Sequence, residues 1–136
     1  MTALSIPDVT GMDVINAALA YAKAGWYVGP IDMKTKHAGS VLGKGWPAKT
    51  SRDPKMIIDW LALAGHGIFL HAGRSGAVVF DVDHPGNLPP IMAEAFTTTP
   101  GPFQSPRAGE PRRGHYPYLV PAGRMLGNST GKLGKG

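Results

Sequence analysis

The chain has 136 residues, no cysteine and a formal net charge of +5. That length suits one domain with one core, burying roughly two thirds of its unfolded surface. The missing thiols exclude a disulfide scaffold and a thiolate zinc site, so any metal must be held by oxygen or imidazole. No apolar stretch approaches the roughly 20 residues of a membrane helix, and the N-terminus lacks the basic start and long apolar block of a signal peptide. A soluble, cytoplasmic chain with no membrane partner is expected. The charge is uneven: the last acidic residue is Glu110, and Arg112, Arg113, Arg124, Lys132 and Lys135 follow it. Such a stretch either attracts a polyanion, whether nucleic acid or a nucleotide triphosphate, or only keeps a tail solvated.

Thr10 with Asp13 reads as a capping-box-like start, and Val14, Ile15, Ala18, Leu19 and Ala22 then recur at helical spacing up to Gly25. Trp26 to Ile31 reads as a short strand. Lys34 to Lys49 is rich in Lys and Gly without an apolar period, which predicts a surface loop. Asp53-Pro54 predicts an N-cap with proline at the first helical position, and Ile57, Ile58, Leu61 and Ala64 mark that helix's buried face before Gly65. Gly67 to His71 and Ala77 to Asp81 are β-prone, and the Ala72-Gly73-Arg74-Ser75-Gly76 segment between them suits a hairpin. Asn87 to Phe96 predicts a short helix with Pro89 and Pro90 in its first turn. Thr97 to Arg113 is loop-like, with a short strand at Phe103-Gln104-Ser105, and His115 to Val120 alternates as a strand does. Pro117 confines that strand to an edge or a bulge.

The chemistry concentrates where the run Ala77-Val78-Val79-Phe80-Asp81-Val82-Asp83 meets the turn-forming His84-Pro85-Gly86-Asn87. Alternation puts Asp81 and Asp83 on one strand face, roughly 7 Å apart along the backbone. Two carboxylates about 4 Å apart would repel by roughly 4 kcal/mol at an effective dielectric near 20, which makes a divalent cation a natural occupant. The competing reading is a turn-starting Asp83 beside a solvated Asp81. Other patterns fail: Gly131-Lys132 has Leu126 where a phosphate loop needs its first glycine, and Leu133 where it needs Ser or Thr. His66, His71 and His84 match no zinc spacing, and Gly73-Arg74-Ser75-Gly76 is not a serine-nucleophile elbow. His115 differs, because it opens a strand directly after Arg112-Arg113-Gly114, an arrangement suited to nucleotide phosphates.

The order of these pieces resembles the N-terminal catalytic domain of bifunctional DNA primase/polymerases, the prim-pol branch of the archaeo-eukaryotic primase superfamily. The resemblance runs from about Met12 to the end, through Ala17 to Ala22, Gly25-Trp26, Pro30, Lys36, Gly45-Trp46, Thr50, Asp53-Pro54, Ile58-x-Trp60, Gly67-Ile68 and Gly73-x-Ser75-Gly76. Val78-Val79-Phe80-Asp81-Val82-Asp83 looks like the family's first metal motif. Ser105-Pro106 and Gly114-His115-Tyr116-x-Tyr118 look like the second, whose histidine contacts the incoming nucleotide, although Arg113 stands where that motif commonly has a small or hydroxyl residue. The family's third motif supplies another acidic residue on a strand after a stretch like Asn128-Ser129-x-Gly131-Lys132-Leu133-Gly134, and this sequence reaches Gly136 at that point.

The resemblance implies an α/β fold, more narrowly α+β, with a mixed or antiparallel sheet flanked by helices around a primase-polymerase catalytic core cut short at its C-terminus. It divides the chain into an N-terminal tail (1–11), the prim-pol-like domain (12–120) and a basic Gly/Lys-rich tail (121–136) leading toward the absent third motif. It implies a replication nucleotidyltransferase working on single-stranded DNA template with nucleoside triphosphates. Asp81 and Asp83 would bind Mg2+ or Mn2+, His115 would join them in catalysis, and His115, Arg113 and Arg112 would bind the nucleotide. Lys34, Lys36, Lys44 and Lys49 either contact template phosphates or hydrate a loop. The expected partners are a second polypeptide supplying the third acid, and a helicase. Two other classes stay open: a noncatalytic nucleic-acid or nucleotide-binding module with the same fold, and a metal-dependent nuclease or phosphotransferase.

Overall fold

The computed structural model describes residues 4–98 and 112–120, and the chain divides into two compact units, Met1–Ser75 and Gly76–Gly136. The first unit contains α1 (Val14–Lys23), β1 (Val28–Asp32), α2 (Trp46–Lys49), α3 (Pro54–Leu61), β2 (His66–Leu70) and the short helical turn α4 (Ala72–Ser75). The second contains β3 (Ala77–Val82), a 3-10 turn at Pro85–Asn87, α5 (Pro90–Thr98) and β4 (Gly114–Leu119). Strand pairing among the described residues is antiparallel throughout, β1 with β2 and β3 with β4. The fold is therefore α+β, as expected, and none of its described helices is long and apolar enough to cross a membrane.

Helix α1 is capped by Asp13 itself, whose carboxylate accepts the Asn16 N–H at 2.7 Å. Thr10 is spent differently, its N–H donating to Asp8 Oδ1. Asp13 directly precedes the first helical residue, where a short side-chain oxygen reaches the unsatisfied amides of the first turn. In α3 the expected start holds, with Asp53 accepting the Lys55 N–H and Pro54 opening the helix. The helix ends at Leu61, however, and Ile58 and Ala64, expected on its buried face, are exposed because Ile57 and Leu61 are the residues that face the core. Ala18 and Ala22 of α1, Ile57 and Leu61 of α3 and Val28 of β1 form the buried centre of this unit. Small alanines on α1 let the two helices approach, and Ile57 fills the space between them with no exposure.

Val28 pairs with Leu70 and Pro30 with Ile68, so strand alternation puts these four on one sheet face. On the opposite face a Cβ at Gly29 would collide with the Phe69 ring. Trp46 stacks edge-on against that ring, with centroids 5.2 Å apart, so the Lys34 to Lys49 segment is docked onto the sheet by α2. Lys49 closes the segment by donating from Nζ to the Leu42 carbonyl at 2.9 Å.

The hairpin expected between Gly67–His71 and Ala77–Asp81 does not form. The segment between them winds into α4, held by the Ser75 N–H and hydroxyl, which both donate to the His71 carbonyl, and Gly76 then turns the chain at φ 90°. β2 has its partner in β1, and β3 finds its own in β4.

In the second unit β3 and β4 run from Ala77 opposite Leu119 to Val82 opposite Gly114. The Val120 N–H donates to the Gly76 carbonyl at 2.9 Å. Alternation from that bond places Val79/Pro117 and Asp81/His115 at non-hydrogen-bonded positions, where facing side chains stand closest and Pro117 removes no ladder donor. Among the described residues β3 is the partner of β4, and Pro117 sits where the ladder between them needs no donor. Phe80, Tyr116 and Tyr118 share the other face, where Phe96 of α5 stacks on Tyr116 at 4.5 Å and meets Phe80 at 5.8 Å. Helix α5 begins at Pro90, three residues later than expected, because Asn87 belongs to the 3-10 turn. The expected strand at Phe103–Ser105, the Ser105-Pro106 pair and the tail 121–136 lie outside the described residues.

Replacing Ile57 with alanine leaves a cavity at the α1–α3 contact. The expected cost is about 3 kcal/mol, read as a lower denaturation midpoint at unchanged slope in urea.

Candidate metal and nucleotide site

Two cross-strand pairs stand side by side on the face of the β3–β4 ribbon opposite the aromatic cluster. His115 lies directly across from Asp81, with Nε2 3.6 Å from Asp81 Oδ1. One step further along, Arg113 Nη2 donates to Asp83 Oδ1 at 3.3 Å. Between the carboxylates Val82 points the other way and is fully buried, so burial on one face fixes exposure on the other. The Asp81 and Asp83 side chains keep 66% and 57% of their surface open, which leaves oxygen lone pairs available to a ligand.

The chain enters β4 through an unusual backbone. Arg112 adopts φ 70° and Gly114 φ 148°, so a residue without Cβ is favoured between the two site residues Arg113 and His115. Tyr116 braces this corner, its hydroxyl donating to the Arg112 carbonyl at 2.6 Å. Burial pushes the Tyr116 phenol pKa up, partly opposed by the nearby Arg112 charge, and burial also raises that of Tyr118.

The structure thus brings together Asp81, Asp83, Arg113 and His115, with Arg112 exposed at the adjoining corner. Lys34, Lys36, Lys44 and Lys49 are exposed in the first unit. His66 and His71 accept other work, His66 Nδ1 facing the Trp60 carbonyl at 2.9 Å and His71 Nδ1 accepting the Arg74 N–H at 3.0 Å. His84 is exposed and its carbonyl accepts the Asn87 N–H. Sequence reasoning gave no role to Tyr116 or Phe96; the aromatic spacing Tyr116-x-Tyr118 on a strand was the available signal.

The arrangement can be compared with known families. The family model for the N-terminal domain of bifunctional DNA primase/polymerases matches residues 18–136. The chain belongs to that family. No curated protein and no solved structure matches it.

The residues expected to form the first motif lie on β3 and at Asp83, and the described part of the expected second motif lies on β4 and its entry corner. Arg113, the departure from the usual second motif, is the residue that meets Asp83. The donor chemistry suits the divalent ion that such domains typically require: adjacent open carboxylates are hard oxygen donors, and Mg2+ is commonly held by one or two of them together with substrate phosphates and water. Among the described residues no group of three or more His, Asp or Glu gathers to enclose an ion. Arg113, paired with Asp83, offsets the repulsion between the two carboxylates.

The frame and the ladder should separate in stability measurements. Arg113→Met is expected to change unfolding free energy by less than about 1 kcal/mol, as for an exposed pair. Phe96→Ala, which unpacks three aromatic contacts, is expected to cost about 3 kcal/mol, both read by urea denaturation of the full chain.

Proposed function

We propose that this prim-pol domain transfers nucleotides to a primer, or to an initiating nucleotide, on a single-stranded DNA template. The observation that carries the reading is the pair of rungs Asp81–His115 and Asp83–Arg113, which sets metal-type and phosphate-type ligands side by side on one strand face. Asp81 and Asp83 would hold Mg2+ or Mn2+. When bound, such ions activate the primer 3′-hydroxyl and neutralise charge developing on the α-phosphate during in-line displacement. His115 and Arg113 bind and orient the triphosphate, with Arg112 adding charge at its edge. Arg113 has two employments in this scheme: it holds Asp83 before substrate arrives and turns to phosphate once Asp83 is engaged. The third acidic residue of the family pattern is not among residues 114–136, none of which is Asp or Glu. In this reading another polypeptide, or another part of a longer one, supplies it, and a helicase partner opens duplex DNA.

Primer extension by the full chain with Mn2+, nucleotides and a single-stranded template tests the reading. Product is expected to fall at least about a hundredfold with Asp81→Ala or Asp83→Ala, as for removal of a group that organises transition-state charge. Mn2+ binding followed by electron paramagnetic resonance gives a readout independent of turnover. There Arg113→Met is expected to strengthen Mn2+ binding, by removing a competing cation from Asp83, while weakening nucleotide binding. Template binding without synthesis and without metal dependence would instead indicate a noncatalytic binding module. Strand cleavage without extension would indicate a nuclease.

A further inference from the structure

The first unit carries a second concentration of charge. Tyr27 supports two guanidiniums at once, Arg74 Cζ lying 3.9 Å and Arg52 Cζ 4.4 Å from its ring centroid. Arg52 is oriented further by donating from Nη2 to the Tyr27 hydroxyl at 3.0 Å. Arg74 is fixed through Nη1, which donates to the carbonyls of Ala48 and Thr50 and to Thr50 Oγ1, and Thr50 is itself buried. The Tyr27 backbone N–H is bound by Ser75 Oγ at 2.8 Å. The Arg74-Ser75 pair, left without a role by the polymerase site, therefore builds this platform.

Two like charges have been brought onto one ring with no carboxylate to neutralise either of them among the described residues. Both side chains are exposed, and Arg74 Nε and Nη2 and Arg52 Nε and Nη1 have no protein acceptor there. Cation–π contact and the buried carbonyls hold the geometry, so little side-chain freedom remains to be lost when an oxyanion binds. The charge also continues along the surface segment leading to it: residues 33–52 contain Lys34, Lys36, Lys44, Lys49 and Arg52 and no Asp or Glu. Flat rings are interleaved with it, Trp46 lying 5.4 Å from His71, whose Nδ1 accepts the Arg74 N–H. A string of cations with aromatic rings between them fits a flexible polyanion carrying stackable bases better than a single small anion.

We propose that the Arg52–Tyr27–Arg74 platform binds the phosphodiester backbone of single-stranded nucleic acid. The platform extends the polymerase reading by naming where a template strand is gripped, but the binding itself requires neither metal nor synthesis.

The test is fluorescence anisotropy of a labelled oligothymidylate with the full chain, without metal, across a range of salt concentrations. Among the described residues the Arg52 side-chain hydrogen bond and ring contact are both to Tyr27, and the side chain is exposed, so Arg52→Gln is expected to keep the thermal midpoint. It should weaken strand binding about fivefold and reduce the slope of log Kd against log salt by about 0.7, the value for one phosphate contact on a single strand. The same loss is expected on mixed-sequence strands. Lys23→Gln removes an equal charge from the end of α1 and should change affinity less than twofold. The proposal is overturned if the wild-type chain does not bind the strand, or if Arg52→Gln behaves like Lys23→Gln. It is also overturned if Arg52→Gln weakens a labelled free nucleotide as much as the strand, which would make the platform a nucleotide site. Since the assay needs no turnover, an inactive polymerase leaves a positive result standing, and a negative result leaves the reading of Asp81 and Asp83 standing.

Discussion

The antiparallel register that sets Asp81 across from His115 is the constraint on which the second unit's chemistry depends. Side chains on a strand alternate, so a slip of one residue would carry Asp81 and Asp83 to the aromatic face and bury charge against Phe80 and Tyr116. The aromatic face is what forbids the slip. Phe96 contacts Phe80, Tyr116 and Tyr118 together in this register. Hydrophobic packing on the hidden side thus positions polar groups on the open side, and the candidate site inherits its geometry from residues on the opposite face.

A similar logic runs through the first unit with different materials. Its core is small and aliphatic, centred on Val28 and Ile57, while the sheet's reverse side is covered by Phe69 and Trp46. The glycine at position 29 is part of that covering, since its missing side chain is the space the Phe69 ring occupies. The lysine-rich segment thereby acquires a fixed attachment. Its charges project from an anchored frame, held by Trp46 at one end and by the Asp32 N–H bond to Ser40 Oγ nearer the other.

Local features were legible in the sequence and pairings across the chain were not. The α1 repeat, the Asp53-Pro54 start and the apolar run into Asp81-Val82-Asp83 depend on neighbours within a few residues and appear close to where the pattern puts them, although Val14, Ile58 and Ala64, read as part of the buried faces, are exposed. The β2–β3 hairpin failed because two β-prone runs beside a glycine-containing spacer specify strands without specifying partners. Each strand has a better mate elsewhere: β2 lies against β1 across the core, and β3 meets β4 after more than 30 intervening residues. The Arg113–Asp83 contact was hidden for the same reason. Its two residues were noticed separately, Arg113 as a departure from a motif and Asp83 as half of another, and only the register joins them.

Pro117 has a consequence for the company this protein keeps. It lies at a position of β4 whose backbone nitrogen faces away from β3, where any other residue would offer a hydrogen-bond donor to a passing strand. Proline withholds that donor. A ribbon with Val79 and Leu119 both exposed would otherwise invite intermolecular β-addition. One imino acid in the middle of the strand that carries His115 blunts this route to self-association and costs the ladder nothing.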